Sequence, residues 1–437
     1  MAPADGTGPD RPDYAGTLRS CYLGYVTQAA VVNLAPLFYI VFMDDYGLTF
    51  TMLGSLSLIN FAVQILVDLI CVAVADRVGY RALAVTAHAF AAVGLASLGI
   101  LPGLIDPPFV GIVISVAAFA VGGGMIEVLV SPIVDALPGE AKASSMSLLH
   151  SFYSWGQVSV AAATTALLHL LGLRHWWAIP MLWALIPAYN AYRFARVPLP
   201  GPVAEGGRTP LSRLLRSPAF ISVLAVMVCS GAAEQAMSQW ASLFAEAGLG
   251  ISKVLGDLLG PALFAAAMGV GRTLFGIKGR NLRLPPILLG SSLLCVLTYC
   301  MASLSRSPAV ALLGLVLCGL AVSLLWPGTL SLASARFPMG GTAMFAMLAV
   351  FGDVGCSLGP WLTGLVSDLS VGGGRPTPPS LAGGPDPRGA GLRMGLLSSV
   401  AFPALMAMIL LASRKGSGKG NGAAPQGGSM RAPTPVE

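Results

Sequence analysis

At 437 residues, with 55% hydrophobic and only 10% charged side chains, the chain carries far too few charges to coat water-soluble domains of its length, where ~25% is usual. Its mean hydropathy of +0.77 makes lipid the missing solvent. The net charge of +6 and pI near 9.0 then say nothing for nucleic acid, which is excluded as a partner, and the informative quantity becomes which loops hold the positive charge.

The first 13 residues are polar and lack the apolar core of a signal peptide, so 1–17 reads as a short disordered arm. A bilayer core takes ~20 apolar residues per helix. Gly, Pro and charge divide the remainder into twelve such runs, at 18–42, 51–73, 82–102, 108–131, 144–171, 175–195, 219–243, 252–276, 285–304, 308–330, 342–366 and 391–413. The polar connection from Arg193 to Arg216 parts a first six-helix half, 18–197, from a second, 218–413, with a linker at 198–217. Within that connection Arg208 to Arg216 is a basic amphipathic segment suited to anionic headgroups. The low-complexity stretch 367–390 predicts a mobile outer loop, and 414–437 a disordered cytoplasmic tail.

With the N-terminus inside, 19 of the 25 Lys and Arg residues, Arg272 among them, fall in inner connections and 6 in outer ones. That asymmetry places both termini in the cytoplasm of a multi-pass protein of the cytoplasmic membrane and requires an even helix count. The halves echo each other weakly: Trp155-Gly156-Gln157-Val158 answers Phe351-Gly352-Asp353-Val354 at a displacement of 196 residues, as parallel six-helix repeats do.

Ionisable side chains inside apolar runs are costly and normally line a pathway or pair. Asp68 shares one helix face with Asn60 and Gln64 by its i, i+4, i+8 spacing, either as an interhelical polar seam or as part of a pathway. Glu127 follows Gly122 to Gly124, where absent side chains let a backbone or a ligand come close; a carboxyl whose charged form is penalised there can take up a proton on one side and release it on the other. His150, Tyr153 and Gln157 share a face of the fifth run. Glu234, Gln235, Ser238, Gln239 and Trp240 form adjacent stripes of donors and acceptors beside a flat aromatic, the combination that sugar hydroxyls and C–H faces need. Gln28 and Asn33 in the first run and Trp326 before Pro327 are further candidate cavity walls. Asp353 lies on a glycine-lined eleventh run, cavity-facing or packed. The seven cysteines and four histidines show no metal-ligand spacing, so no cofactor or metal is expected.

In the connection after the second run, Asp76-Arg77-Val78-Gly79-Tyr80-Arg81 resembles the D-R-x-G-x-R signature of the major facilitator superfamily. It implies that fold and a conformational latch built from Asp76, Arg77, Gly79 and Arg81. Gly122 to Pro132, with Glu127, and His150 to Gly156 resemble the fucose permease-like sugar:proton symporters, in which the Glu carries the proton; that branch's acid in the first helix falls near Val32 or Asn33 here, and its Asn in the fifth is Tyr153. Taken together, an alternating-access transporter of a small polar solute, a sugar foremost, is expected to act as a monomer in membrane lipid. Glu127, Glu234, Asp353 and Asp68 are its candidate proton carriers, and Gln28, Asn33, Gln64, Glu127, Tyr153, Gln157, Glu234, Gln235, Gln239, Trp240 and Trp326 its candidate solute contacts. Proton-driven export of apolar compounds and a non-transporting receptor remain as alternatives, whereas no nucleophile, base and metal-ligand set meets to make an enzyme.

Overall fold

A computed structural model describes residues 14–135, 137, 142–199, 211–278, 283–372 and 387–418. Every regular element among them is helical. Joined where one helix continues the next, they form α1 (Ala15–Tyr46), α2 (Phe50–Val78), α3 (Tyr80–Leu98), α4 (Pro108–Asp135), α5 (Lys142–Leu171) and α6 (Ala178–Trp183 continued by Leu185–Arg196). The second set is α7 (Pro218–Gly248), α8 (Lys253–Asp257 running on to Lys278), α9 (Leu284–Leu304), α10 (Pro308–Arg336), α11 (Gly341–Gly372) and α12 (Pro387–Ser398 continued by Ala401–Gly418). Ten of these are long and apolar enough to cross a membrane, while α5 and α6 fall outside that group. Leucines such as Leu66, Leu104 and Leu170 point outward from the bundle, as lipid-facing residues must in a fold that satisfies its own backbone.

Helix ends depart from the sequence reading in instructive ways. The expected 367–390 loop is shorter at both ends, because α11 runs on to Gly372 and α12 starts at Pro387. Ser367 is buried and hydrogen-bonds Thr363 O, and Thr363 meets Ser399 of α12 at 2.7 Å, so the segment is held by polar contacts that a composition argument does not see. Residues 373–386 lie outside the described residues. Helix begins at Ala15, inside the expected arm, and ends at Gly418, inside the expected tail. In the linker, Leu211–Leu215 is a short helix whose Leu214 packs against α7, with Arg213 and Arg216 exposed.

The halves meet along α2 with α11, α5 with α8, and α1 with α7. Within the second half, a Cβ on Gly355 would stand 2.0 Å from Val228 O of α7, so only glycine permits this helix contact. At the end of the bundle opposite the chain termini, called here the far end, polar contacts join the halves. Asp368 of α11 accepts hydrogen bonds from Phe50 N at 3.1 Å and Thr51 N at 2.6 Å, capping α2. Thr165 of α5 donates to Asp257 of α8 at 3.1 Å, and Asp44 pairs with Arg388 at 2.7 Å.

Losing a helix cap of this kind costs about 0.5–2 kcal/mol. Asp368→Ala is expected to loosen the far end while the protein stays folded, so that a cysteine placed at Ser57, in a background lacking the native cysteines, reacts several-fold faster with a membrane-impermeant maleimide; an unchanged rate would show that the cap does not hold the halves together.

Candidate functional site

One polar knot forms where α1, α2 and α4 cross. Gln28 Nε2 donates to Gln64 Oε1 at 2.8 Å and to Glu127 Oε2 at 3.2 Å. This crossing depends on the glycine run: a Cβ on Gly124 would come within 3.0 Å of the Gln64 backbone and 3.1 Å of Asp68 Oδ1. Asp68 is buried, whereas Glu127 keeps part of its surface open. Asp353 of α11 is buried. Among the described residues none of these three carboxylates forms an ion pair. Buried and without a hydrogen-bond partner are Asp68 Oδ1, Asp353 Oδ2, Gln28 Oε1, Asn60 Oδ1 and Gln64 Nε2. Four of those five atoms are acceptors that no donor of the protein reaches.

A second cluster crosses from α1 and α5 to α7. Asn33 Nδ2 donates to Tyr153 Oη at 3.3 Å, Gln157 Nε2 donates to Ser238 Oγ at 2.8 Å, and Ser238 Oγ lies 3.5 Å from Asn33 Oδ1. Gln239 accepts from Ser57 at 3.0 Å and donates to Val32 O and Gln235 Oε1, both at 3.1 Å. These residues thus bond one half to the other in this conformation. Trp240, expected to offer a face to a solute, offers none here: it is fully buried, its ring packs against Tyr39 and Phe50, and its Nε1 donates to Pro360 O at 3.0 Å. Trp326 packs against Gly352 but remains partly exposed, as does Tyr153.

The largest correction concerns Arg272. Counted above among inner-loop charges, it lies within α8, and its Nη2 donates to both carboxylate oxygens of Glu234 at 2.9 Å. Its Nη1 reaches Ser154 Oγ of α5 at 3.3 Å, and its buried Nε has no partner. Glycines and bases at 271–280 resemble a loop signature, but without Pro or an acid to stop it the helix runs on to Lys278. The signal that could have found this pair is a lone basic residue one turn inside an apolar run, facing a helix that holds a lone acid. Lys253 and Arg393, counted as outer charges, are likewise taken up by the protein: Lys253 pairs with Asp257 at 2.8 Å, and buried Arg393 donates to the carbonyls of Ser303, Ser305 and Gly248.

Gly79 has φ +82 and makes the tight turn between α2 and α3. Arg81 donates to the carbonyls of Phe194, Ala195 and Val197, at 3.1, 2.7 and 2.9 Å, and so caps the end of α6. It therefore ties α3 to α6 within one half. The side chains of Asp76, Arg77 and His150 lie outside the described residues. No group of three or more His, Cys, Asp or Glu among the described residues could hold a metal ion.

The sequence profile of the Major Facilitator Superfamily matches residues 21–360. The chain belongs to that superfamily. It is a multi-pass membrane transporter and not an enzyme. No curated protein sequence matches it significantly. Among solved structures, a bacterial homologue of the human lysosomal transporter Spinster, inward-facing and occupied, is 17% identical, with 93% of this chain and 98% of that one covered and a TM-score of 0.71. The nucleoside transporter NupG is 12% identical over 92% of this chain and 98% of its own, with a TM-score of 0.67. A variant of the fucose:proton symporter FucP from E. coli is 16% identical over 91% of this chain and 99% of its own, with a TM-score of 0.59. At such identities the likeness speaks for the fold alone.

In this transporter the contact of α4 with α2 is tight at 124, where any Cβ would make its neighbours give by a few tenths of an ångström. Gly124→Ala is expected to push on the Gln64 backbone and Asp68, costing about 1–3 kcal/mol, which thermal unfolding in detergent would register as a lowered Tm. An unchanged Tm would mean that the helices part freely there.

Proposed function

We propose that this superfamily member is a proton-coupled secondary transporter that moves a small polyhydroxylated solute, of the sugar class, by alternating access between its two halves. The observation that carries this reading is the set of three intramembrane carboxylates without a basic partner, buried Asp68 and partly open Glu127 from the first half and buried Asp353 from the second. A bare charge in a low-dielectric interior costs several kcal/mol. Protons relieve that cost, and a group that must be neutral for the halves to repack couples proton movement to reorientation. Glu127 is the leading carrier, since it alone of the three keeps open surface and its Oε2 already accepts from Gln28.

Amide pairs support the solute class. Gln28 with Gln64, and Asn33 with Gln157, offer both donors and acceptors, which is what vicinal hydroxyls require, and Tyr153 and Trp326 add partly open aromatic surface. The distribution of base supports termini in the cytoplasm: with Arg272 removed from the inner count and Lys253 and Arg393 from the outer, eighteen positives face four. The two halves then rock as bodies in the cytoplasmic membrane, alone rather than as an oligomer.

Glu127→Gln keeps the hydrogen-bonding shape but cannot release a proton. In proteoliposomes it is expected to abolish uphill uptake driven by a proton gradient while solute exchange at equilibrium persists. Gradient-driven accumulation equal to that of the unmodified protein would overturn the coupling role.

A further inference from the structure

The ion pair Arg272–Glu234 is not needed to hold α7 to α8. Buried pairs of this kind are often no more stabilising than apolar residues of the same volume, and these helices also share one buried apolar cluster, with Met237 and Ala241 on α7 and Phe264 and Met268 on α8. The pairing also uses the guanidinium poorly. A single nitrogen, Nη2, serves both oxygens of Glu234, Nη1 makes only a long 3.3 Å contact with Ser154, and Nε is buried unbonded. An arginine built for structure fills its fork; this one holds donors in reserve for a second oxyanion.

Its position fits a ligand. Arg272 and Glu234 belong to the second half and Ser154 to the first, so Nη1 sits on the boundary between the halves, where a group that displaces Ser154 changes how they are joined. Tyr153, next to Ser154, is partly exposed, and Gln157, one turn further along α5, donates to Ser238, whose hydroxyl in turn lies 3.5 Å from Asn33 Oδ1. A solute anchored on Arg272 by an anionic end has hydroxyl-binding groups within one helical turn.

Resting on the transport reading above, we propose that the solute is an anion: a polyhydroxylated carboxylate, such as a sugar acid, whose carboxylate docks on Arg272 in exchange with Glu234 and Ser154. The three unpaired acids then gain a reason. An anion can enter beside Asp68, Glu127 and Asp353 only when those groups carry protons, so charge balance itself enforces symport. A neutral sugar would place no such demand, and a cationic solute would balance the three acids without any protons.

The test uses the full chain in proteoliposomes with an inward proton gradient and three labelled probes of one ring size, D-glucuronate, D-glucose and D-glucosamine, together with binding of each by calorimetry. Glucuronate is expected to bind and accumulate while the other two do not. Arg272→Gln should weaken glucuronate binding about 10- to 100-fold, the loss expected for a charged hydrogen-bond pair, and Arg272→Lys should recover part of it. Glu234→Gln removes the competing carboxylate and should bind glucuronate at least as tightly as the unmodified protein. A purely structural pair predicts that Arg272→Gln and Glu234→Gln fall together; that result, in variants eluting as folded protein, overturns the proposal. Accumulation of glucose or glucosamine without glucuronate overturns the anion assignment and leaves the transporter reading standing, whereas uptake of none of the three overturns both.

Discussion

A membrane interior does not tolerate an unanswered charge, and the polar architecture of this bundle follows from how each charge is answered. Some are answered by protein. Lys253 and Asp257 pair at 2.8 Å, Arg272 and Glu234 at 2.9 Å, and Arg393 spreads its guanidinium over backbone carbonyls. His88 accepts the same discipline, held between Ala84 O and Asn190 at 2.8 Å each. Asp68, Glu127 and Asp353 are the exceptions, on α2, α4 and α11, and α2 packs against both of the other helices. Groups left unanswered in lipid are expensive, so their persistence marks the place where something mobile supplies the answer.

Such an arrangement requires backbones to come unusually close. In the first half the glycine run before Glu127 lets Gln28, Gln64 and Asp68 lie against α4. In the second, Gly355 and Gly359 do the same for α7 against α11. Association in lipid has no hydrophobic drive and relies on close packing and interhelical hydrogen bonds, so the residues that make the helices pack also bring the polar groups into one layer. Packing and chemistry are therefore coupled at each of these positions.

Much of the fold was legible in the sequence because lipid imposes one simple rule, ~20 apolar residues between polar breaks. Helix stands at each of the twelve expected runs, with ends shifted by a few residues, and ten of them are long and apolar enough to cross a membrane. The errors share a cause. Ser367 and Asp368 look like loop residues by composition but are held by Thr363 and by the α2 backbone, and Arg272 looks like a loop cation but is held by Glu234. Asp368 and Arg272 were misplaced because their partners are distant in sequence. The i, i+4 logic that found Asn60, Gln64 and Asp68, or Glu234 and Ser238, places residues on a helix face and is silent on what stands opposite. Trp240 shows the same limit, for its neighbours Tyr39 and Phe50 come from the other half.

The division of labour among polar contacts bears on how the halves could move. Inside the first half, Arg81 caps α6 from α3, and Asn190 links α6 to His88 of α3 and to Ser20 O of α1; none of these bonds crosses to the second half, so rocking leaves them intact. Contacts that do cross include Asp368 on the α2 backbone, Asp257 with Thr165, and Arg388 with Asp44. Charge-assisted hydrogen bonds contribute about 1.5–3 kcal/mol when shielded and exposed ion pairs about 0–1 kcal/mol. Together they favour the state in which the far end is closed. Opening the far end must therefore be offset by contacts formed elsewhere, either at the opposite end or by a solute and protons in the central layer. A few long side chains at one end and a few unanswered carboxylates in the middle are enough to make the exchange between states depend on what is bound.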